Sequence, residues 1–327
     1  MRTTPGAAER TASLEHEIGL QGELLLRIPD GDIDVRGVEG SLVRIRDLDP
    51  QVPLSVRRAV GRLEVGLGED DPGDGRPRWL RLGRRGRARL EVEVPHGARL
   101  GIEVTSAAVR VAGLDGEQHC RTISGGLDFR DAGGSLVIDG VSGDVSIAAR
   151  SPVALRAHTV SGDLRVTAPL LRELQVGTMS GDARIEGPLG TGEHRIETVS
   201  GDAVLIGAES VTVEASTISG GIATDLAHHV SGGRGRQLLV IGDGAAHLTF
   251  RSMSGDLDVL RRPPERAAPN PAPPPAAGAE GDAGRQQVAS PTEPDARLEL
   301  LRSLERGEID VDEAARRLTA LEEVNGG

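Results

Sequence analysis

The chain has 327 residues, which is enough for one long domain and a smaller second unit. Its formal net charge of −12 at pH 7 argues against a nucleic-acid-binding protein. One tryptophan, two phenylalanines and no tyrosine leave the core to Val, Ile, Leu and Ala. These aliphatic side chains stack well inside parallel β-structure.

The composition also bears on compartment. A single cysteine, Cys120, excludes an intramolecular disulfide. The first 20 residues contain no apolar core of a signal peptide, and no run of about 18 apolar residues is present. We therefore expect a cytoplasmic protein without a membrane-spanning segment.

The N-terminal part is predicted to form short strands after a loose tail of residues 1–12. Residues 13–68 alternate apolar and polar side chains, as in Leu42–Ile45, with turns at Gly31 and Gly40. The stretch Gly31–Val35 looks like the repeat described below, which suggests that the repeat begins here.

A charged insertion follows at residues 69–89, where an acidic half precedes an arginine-rich half. We interpret it as a protruding loop whose two arms neutralise each other. An anion-binding loop is the alternative.

The central feature is a repeated phrase of an apolar residue followed by Ser-Gly and usually Asp. Its serines are Ser124, Ser142, Ser161, Ser180, Ser200, Ser219 and Ser254. The first six are spaced by 18, 19, 19, 20 and 19 residues, and the last interval of 35 is about two periods. Ser106-Ala107-Ala108 is a degenerate earlier copy. This period predicts a mainly β protein, a β-solenoid resembling a parallel β-helix with coils of about 19 residues, over residues 13–260.

The phrase is interpreted first as a structural turn. Glycine permits a positive φ at a corner, Ser and Asp accept hydrogen bonds from nearby amides, and Val160 and Leu164 point into the stack. The predicted turn residues are Ser142, Gly143, Asp144, Ser161, Gly162, Asp163, Ser180, Gly181, Asp182, Ser200, Gly201, Asp202, Ser254, Gly255 and Asp256. The alternative is a row of aspartates that binds cations, although one Asp per 19 residues is few ligands for calcium.

Other candidate chemistry is sparse. His119 and Cys120, like His228 and His229, are adjacent on predicted strands and therefore point to opposite faces. The off-period Val230–Gly233 is interpreted as a loop between strands. No phosphate-binding loop, nucleophile elbow, zinc spacing or dinucleotide motif is present, so we expect no enzyme and no cofactor.

The C-terminal part changes character. Residues 261–294 form a Pro- and Ala-rich, solvated linker. Residues 295–323 have helical periodicity, with a cap at Asp295, a break at Gly307 and a capping box from Asp310 to Glu313. We predict a two-helix hairpin that binds a protein partner or self-associates, since it is too small to be stable alone. Its predicted contact residues are Leu301, Leu304, Ile309, Ala314, Leu318 and Leu321.

The residues resemble two known families. The Val-Ser-Gly-Asp repeats, the opening Gly31–Gly37 and the closing Val240–Gly244 resemble the bacterial DUF4097 β-strand-repeat family, whose members are named adhesins. The stretch Leu300–Ala315 is similar to the SHOCT-like helical hairpin of the YvlB and LiaX proteins. This second resemblance implies a link to the cell-envelope stress response of Gram-positive bacteria.

Together these features predict a non-catalytic scaffold or binding protein with a rigid β-repeat surface and a tethered helical interaction module. A surface adhesin is the first alternative, and it requires an export signal. A polysaccharide-active enzyme on a β-helix is the second, and it requires sugar-stacking rings that the composition scarcely supplies.

Overall fold

The computed structural model describes residues 13–49, 54–67, 87–233 and 235–262. Contacts between Cα atoms divide the chain into Met1–Glu265 and Arg266–Gly327, and every described residue lies in the first unit. The N-terminal tail, most of the charged insertion, all of the linker after Arg262 and the predicted hairpin with its contact residues lie outside the described residues.

The described residues form strands and turns, without a helix. The strands are β1 (Ser13–Glu17), β2 (Glu23–Val38), β3 (Leu42–Asp47), β4 (Leu54–Ala59), β5 (Arg62–Leu67), β6 (Ala88–Pro95), β7 (Arg99–Ala112), β8 (Glu117–Ser124), β9 (Leu127–Ser142), β10 (Val145–Ser161), β11 (Leu164–Thr167), β12 (Leu171–Ser180), β13 (Ala183–Glu186), β14 (Glu193–Ser200), β15 (Ala203–Ile206), β16 (Val211–Thr217), β17 (Ile222–Thr224), β18 (His228–Gly233), β19 (Arg236–Ile241), β20 (Ala246–Ser254) and β21 (Leu257–Leu260). No segment in this described part is a helix long and apolar enough to cross a membrane.

Parallel pairing stacks the repeats in register. In β10, Ser161 lies opposite Ser142 of β9 on one side and Ser180 of β12 on the other. Most repeats thus form one rung, a longer strand that ends at the repeat serine and a shorter strand that begins after the Asp. The all-β, stacked architecture predicted from the 19-residue period is confirmed.

Alternation within each strand builds the core. In β11 the side chains of Leu164 and Val166 are buried while Arg165 and Thr167 are exposed, as a period of two requires. The buried side chains of the described part are mainly Val, Ile, Leu and Ala, joined by Phe129 and Phe250. Small aliphatic side chains suit this interior because each column repeats at the spacing between strands, about 4.8 Å.

The rung order at the C-terminal end differs from the sequence order. Strand β20 pairs with β14 on one side and with β16 on the other, and β21 lies likewise between β15 and β17. The last repeat, at Ser254, therefore lies between the repeats of Ser200 and Ser219. This intercalation accounts for the 35-residue interval before Ser254, because the chain forms a hairpin before it returns to fill the gap.

The N-terminal end uses the same arrangement. Strand β2 pairs with β7 on one side and with β5 and β6 on the other. The first long strand therefore lies one rung inside the end of the stack. Within β2, Asp30 lies opposite Ser106 of β7, so the expectation that the repeat begins near Gly31 is confirmed.

Antiparallel strands cover the two terminal rungs. At the N-terminal end, β4 pairs with β5, β3 with β6 and β1 with β3. At the C-terminal end, β19 pairs with β16 and β18 with β19. The interpretation of Val230–Gly233 as a loop was therefore wrong, because these residues belong to β18. Its exposed sequence, HHVSGG, is polar and short, which disfavours pairing with another chain.

Strands β18 and β19 form the C-terminal cap of the stack, and β19 allows a matched pair of substitutions. Leu239 is buried whereas the adjacent Leu238 is exposed. We expect Leu239→Ala to lower the free energy of unfolding by about 3 kcal/mol because it leaves a cavity under the cap. Leu238→Ala should change it by less than about 1 kcal/mol. Urea unfolding followed by circular dichroism measures both, and equal effects would contradict the packing of this cap.

Candidate functional site

The predicted turn residues line up along one edge of the stack. Ser161 ends β10, Gly162 and Asp163 turn the chain, and Leu164 begins β11 with its side chain in the core. The equivalent residues of neighbouring rungs lie directly above and below, so the edge carries a serine column, a glycine column and an aspartate column. We call this edge the Ser-Gly-Asp edge.

The glycine column is imposed mainly by close packing between rungs. A Cβ atom on Gly162 would overlap the backbone of Gly143, and one on Gly181 would overlap the backbone of Gly162. Gly143 and Gly162 also have positive φ values, of 126° and 123°. Gly181 and Gly201 do not adopt this left-handed conformation. The prediction that φ explains the glycines is therefore correct for part of the column, and the close approach applies throughout it.

Gly181 distinguishes the close approach between rungs from the positive φ, because its φ is not left-handed while its Cβ would overlap the backbone of Gly162. We expect Gly181→Ala to lower the free energy of unfolding by about 3 kcal/mol, because backbone atoms of the neighbouring rung cannot move aside. Gly233→Ala is the matched control, since its Cβ meets no atom within 4 Å, and its effect should stay within about 0.5 kcal/mol. Chemical denaturation of both variants tests this, and a neutral Gly181→Ala would contradict the close approach.

The serine column connects successive rungs through hydrogen bonds. The hydroxyl of Ser124 donates to the carbonyl of Thr105 at 3.2 Å, and that of Ser142 donates to the carbonyl of Ile123 at 3.2 Å. Ser161 repeats the pattern with Val141 at 3.4 Å. These serines were predicted to accept hydrogen bonds from nearby turn amides. Instead they donate to the rung before.

The aspartate column connects the rungs in the opposite direction, because each carboxylate accepts an amide of the following rung whereas each serine bonds to the preceding one. Oδ1 of Asp144 accepts the backbone N–H of Asp163 at 3.0 Å, and Oδ1 of Asp163 accepts that of Asp182 at 3.3 Å. The series continues through Asp202 and Asp256 to the N–H of Gly221, at 2.7 Å. Because each carboxylate is held by an amide of the next rung, the repulsion between stacked like charges is offset without a cation.

Asp202 allows a test of the aspartate column. Its Oδ1 accepts the backbone N–H of Asp256, which belongs to the intercalated rung, at 2.9 Å. We expect Asp202→Ala to lower the free energy of unfolding by about 1 kcal/mol, since that amide loses its acceptor. Asp202→Asn keeps an oxygen acceptor and should retain most of the stability. Equal stability of the two variants, measured by thermal and urea unfolding, would show that the bond contributes nothing.

The cation-binding alternative gains no support from this geometry. Within the described ranges, no three His, Cys, Asp or Glu side chains are grouped as metal ligands. Asp163 also receives Arg165 at 3.1 Å on its second oxygen, which places a positive charge at the column.

The residue before each repeat serine is exposed. Val160 was predicted to point into the stack with Leu164, but 44% of its surface is accessible while Leu164 is buried. The same position is 41–81% exposed in every repeat phrase. In rung order these residues are Ile123, Val141, Val160, Met179, Val199, Met253 and Ile218. We call them the apolar ladder.

The inward position next to the apolar ladder carries hydroxyl groups. Among the described residues, the hydroxyl oxygens of Thr122, Thr178, Thr198, Thr217 and Ser252 are buried without a hydrogen-bond partner. Strand alternation explains the pair of columns, because the residue two before each serine points inward and the residue one before points outward. The corner of each of these five rungs is thus apolar outside and polar inside.

His119 and Cys120, which are adjacent in β8, point to opposite faces of the strand, as the strand geometry predicts. Cys120 is buried in the core, and burial raises the pKa of its thiol to about 12. His119 points outward, where its Nε2 lies 3.1 Å from Oδ2 of Asp139. A thiol without thiolate character and without an adjacent base is not a nucleophile at neutral pH.

The burial of Cys120 predicts its reactivity. At pH 8 the native protein should leave an aromatic disulfide reagent unreacted over an hour, because thiolate is scarce and the sulfur is inaccessible. The same protein in guanidinium should release one equivalent of coloured thiol within minutes. Rapid release from the native protein would contradict the buried position.

A surface hollow near the N-terminal end has charged walls. Its lining side chains are Asp34, Arg36, Arg44, Arg46, Glu91, Val92 and Glu93. Arg44 bonds Glu93 at 3.3 Å and Glu15 at 3.2 Å, and these acids raise the pKa of its guanidinium. Arg46 faces Glu91, and Arg36 faces Asp34. Since each arginine faces a carboxylate of its own surface, the hollow is neutralised internally.

Little of the charged insertion is described. Arg87 lies 3.9 Å from Asp30 and 4.0 Å from Asp32 through its guanidinium, and Arg89 lies in β6. Both contacts agree with charge neutralisation, whereas the interpretation of the remaining residues as a protruding loop stays a prediction.

One family model matches part of this chain, and several solved structures are distantly similar to it. No curated protein gives a significant match. The crystal structure of "a putative cell adhesion protein" from Clostridium sporogenes ATCC 15579 is 9% identical, with a TM-score of 0.23, and covers 76% of this chain and 99% of its own. "A putative adhesin" from Bacteroides fragilis NCTC 9343 is 8% identical, with a TM-score of 0.24, and covers 76% and 95%. A "putative lipid binding protein" from Parabacteroides distasonis ATCC 8503 has the same identity, TM-score and coverage.

The family match lies within the repeat. The model described as Toastrack DUF4097 matches residues 170–260, which run from the turn before β12 through β21. This segment contains the Ser-Gly-Asp phrases at Ser180, Ser200 and Ser254, and it includes the intercalated rung. Residues 170–260 of this chain are therefore similar to the Toastrack DUF4097 family.

Proposed function

We propose that this protein is a non-catalytic binding protein in which a rigid β-repeat stack displays a docking surface and carries a C-terminal interaction module on a linker. The observation that carries the proposal is the apolar ladder. Seven large apolar side chains lie at one repeat position, and all are exposed. Contiguous exposed apolar surface on an otherwise charged protein is typical of an interaction site.

The stack gives this surface a fixed shape. Backbone pairing, the serine hydroxyls and the aspartate carboxylates all join one rung to the next. These repeated bonds hold the ladder side chains at the spacing of the rungs. A preformed surface binds without the ordering penalty that a flexible segment incurs.

The chemistry of the described residues favours binding over catalysis. The thiol of Cys120 is buried. Along the Ser-Gly-Asp edge, the hydroxyls of Ser124, Ser142 and Ser161 and the carboxylates from Asp144 to Asp256 form bonds between rungs. General acid–base catalysis needs titratable groups converging on a substrate pocket. The paired charges on the solenoid surface provide solubility and local neutralisation.

The C-terminal segment completes the proposal as the partner-binding module. Residues 295–323 carry the leucine-rich pattern, and the Pro-rich residues before them act as the tether. We propose a protein partner in the cytoplasm and a role in the cell-envelope stress response, as the resemblance of this segment to SHOCT-like hairpins implies. The partner could equally be a second copy of this chain.

Affinity capture with matched variants tests the proposal. Full-length tagged protein, Val160→Gln/Met179→Gln, Leu301→Gln/Leu304→Gln and the control Val60→Gln are captured from the native host and compared by mass spectrometry. Val60 is fully exposed outside the ladder. We expect the two double variants to change the amount of a specific co-purifying protein at least fivefold, and the control to leave it unchanged.

The stress role is tested in the same cells. Exposure to a cell-wall-active antibiotic should change the amount of partner captured by the unaltered protein. An identical set of co-purifying proteins for every variant, with or without the antibiotic, would contradict the proposed function.

A further inference from the structure

A second column of residues runs beside the apolar ladder on the same face of the stack. Its members lie two residues before the ladder in each long strand, so their side chains point to the same side as those of the ladder. All of them are exposed or half-buried. We call them the charged column, which in rung order is Arg121, Asp139, His158, Gly177, Glu197, Arg251 and Ser216.

The charges of this column are complementary about its centre. Gly177 occupies the middle of the seven rungs. His158 and Glu197 lie one rung away from it on opposite sides, and Asp139 and Arg251 lie two rungs away. Both pairs combine a basic and an acidic side chain. The charged column is therefore complementary to a second copy of itself that runs in the opposite direction.

The apolar ladder shares this centre. Met179 lies in the middle rung, with Val160 and Val199 on either side. Ile123 and Ile218 occupy the two ends of the ladder. Two ladders that face each other in opposite directions would thus pair valine with valine and isoleucine with isoleucine. The flexible Met179 side chains of both copies would meet on the axis, and a two-fold interface requires this kind of self-complementarity.

Pairing in the same direction is disfavoured by charge. It would place the charged column of one copy against the aspartate column of the other, so that Asp139 faces Asp144 and Glu197 faces Asp202. Like charges in contact disfavour such an arrangement. In the opposite direction each charged column faces its own copy, while the aspartates lie beyond the turn, at the start of the short strands. The charges therefore favour antiparallel pairing.

The size of this face corresponds to a reversible complex. Seven rungs extend over about 29 Å, and the two columns cover about 14 Å of strand, so each copy offers about 400 Å². The pair then has about 800 Å² in contact, which lies in the range of weak and transient interfaces. We expect a dissociation constant on the order of tens of micromolar.

We propose that the apolar ladder and the charged column form a homodimerisation surface, on which a second copy of this chain docks antiparallel with the two-fold axis at Met179. The inference rests on the proposed function, because it uses the same docking surface, and it identifies the partner of that surface as the chain itself. Across the interface Asp139 faces Arg251 of the other copy, and His158 faces Glu197.

Single cysteines in the ladder report on the direction of pairing. Met179 and Ile123 are 55% and 53% exposed, and the native Cys120 is buried. Met179→Cys and Ile123→Cys each add one accessible thiol to the full-length protein. Packed sheets lie about 10 Å apart, so a bis-maleimide of that reach joins facing thiols where a disulfide is too short.

The expected result is a covalent dimer from Met179→Cys and none from Ile123→Cys. Met179 faces its own equivalent across the axis, whereas the two copies of Ile123 lie at opposite ends of the interface, about 29 Å apart. Any other pattern overturns the proposal. Equal cross-linking of both variants indicates parallel or random contact, and no product from Met179→Cys shows that the ladders do not face each other.

Sedimentation equilibrium of the full-length protein tests the charges. Asp139→Arg or Arg251→Glu alone should raise the dissociation constant at least about fivefold, because like charges then face each other. The two changes in one chain restore opposite charges and should return it to within about twofold of the unaltered value. Val60→Arg, outside the ladder, is the control and should leave it unchanged.

The double variant carries the decision between a charge pair and a disturbed fold. Asp139 bonds His119, and Arg251 pairs with Glu197, within the same chain, so circular dichroism checks that each variant is folded. A folded double variant that dimerises no better than the single variants would overturn the pairing of Asp139 with Arg251.

Partner capture separates this inference from the proposed function. A tagged chain should capture the untagged copy in its native host, and Val160→Gln/Met179→Gln should lose it. A monomeric protein whose capture of another protein depends on Val160 and Met179 would overturn the dimer and leave the proposed function. Cross-linking at Met179 with no other protein captured by any variant would overturn the foreign partner in the proposed function and leave the dimer.

Discussion

The architecture depends on how closely one rung approaches the next at the Ser-Gly-Asp edge. A Cβ atom at Gly162, Gly181 or Gly201 would overlap backbone atoms of the neighbouring rung. Glycine occupies this point in all seven repeat phrases, whereas Ala107 occupies it in the earlier rung of Ser106. The close approach between successive glycines fixes the register. Once the glycines are aligned, the serine hydroxyl and the aspartate carboxylate fall into hydrogen-bonding distance of adjacent rungs, and the apolar residue before the serine faces solvent.

The closure of the stack follows from the same register. A parallel stack of identical rungs would end in unpaired strands, which invite pairing with other chains. Here β2 and β20–β21 each lie one rung inside an end, and antiparallel strands pair on the terminal rungs. The repeat sequence of Ser254 fits between those of Ser200 and Ser219 because all three have glycine after the serine, and because Asp202 accepts the N–H of Asp256 while Asp256 accepts that of Gly221. Equivalence among repeats makes this change of order possible.

The sequence predicted the stacked β-architecture, the start of the repeat near Gly31 and the inward position of Leu164. It did not predict the rung order, because the period of 19 gives the spacing of serines along the chain but not which rungs are adjacent in space. It also placed Val160 in the core, since an apolar residue beside a turn usually packs inward. The alternation between Thr159, half-buried, and Val160, exposed, was the signal that would have located the apolar ladder.

Cysteine cross-linking tests whether register between equivalent repeats determines the rung order. Met253 and Val199 lie on adjacent rungs, whereas Ile218 and Val199 are separated by the rung of Met253. The native Cys120 is buried and leaves the exposed pairs as the reactive thiols. Oxidation should link Val199→Cys to Met253→Cys rapidly and leave the pair Val199→Cys and Ile218→Cys unlinked. Preferential linking of the second pair would contradict the intercalated order of the rungs.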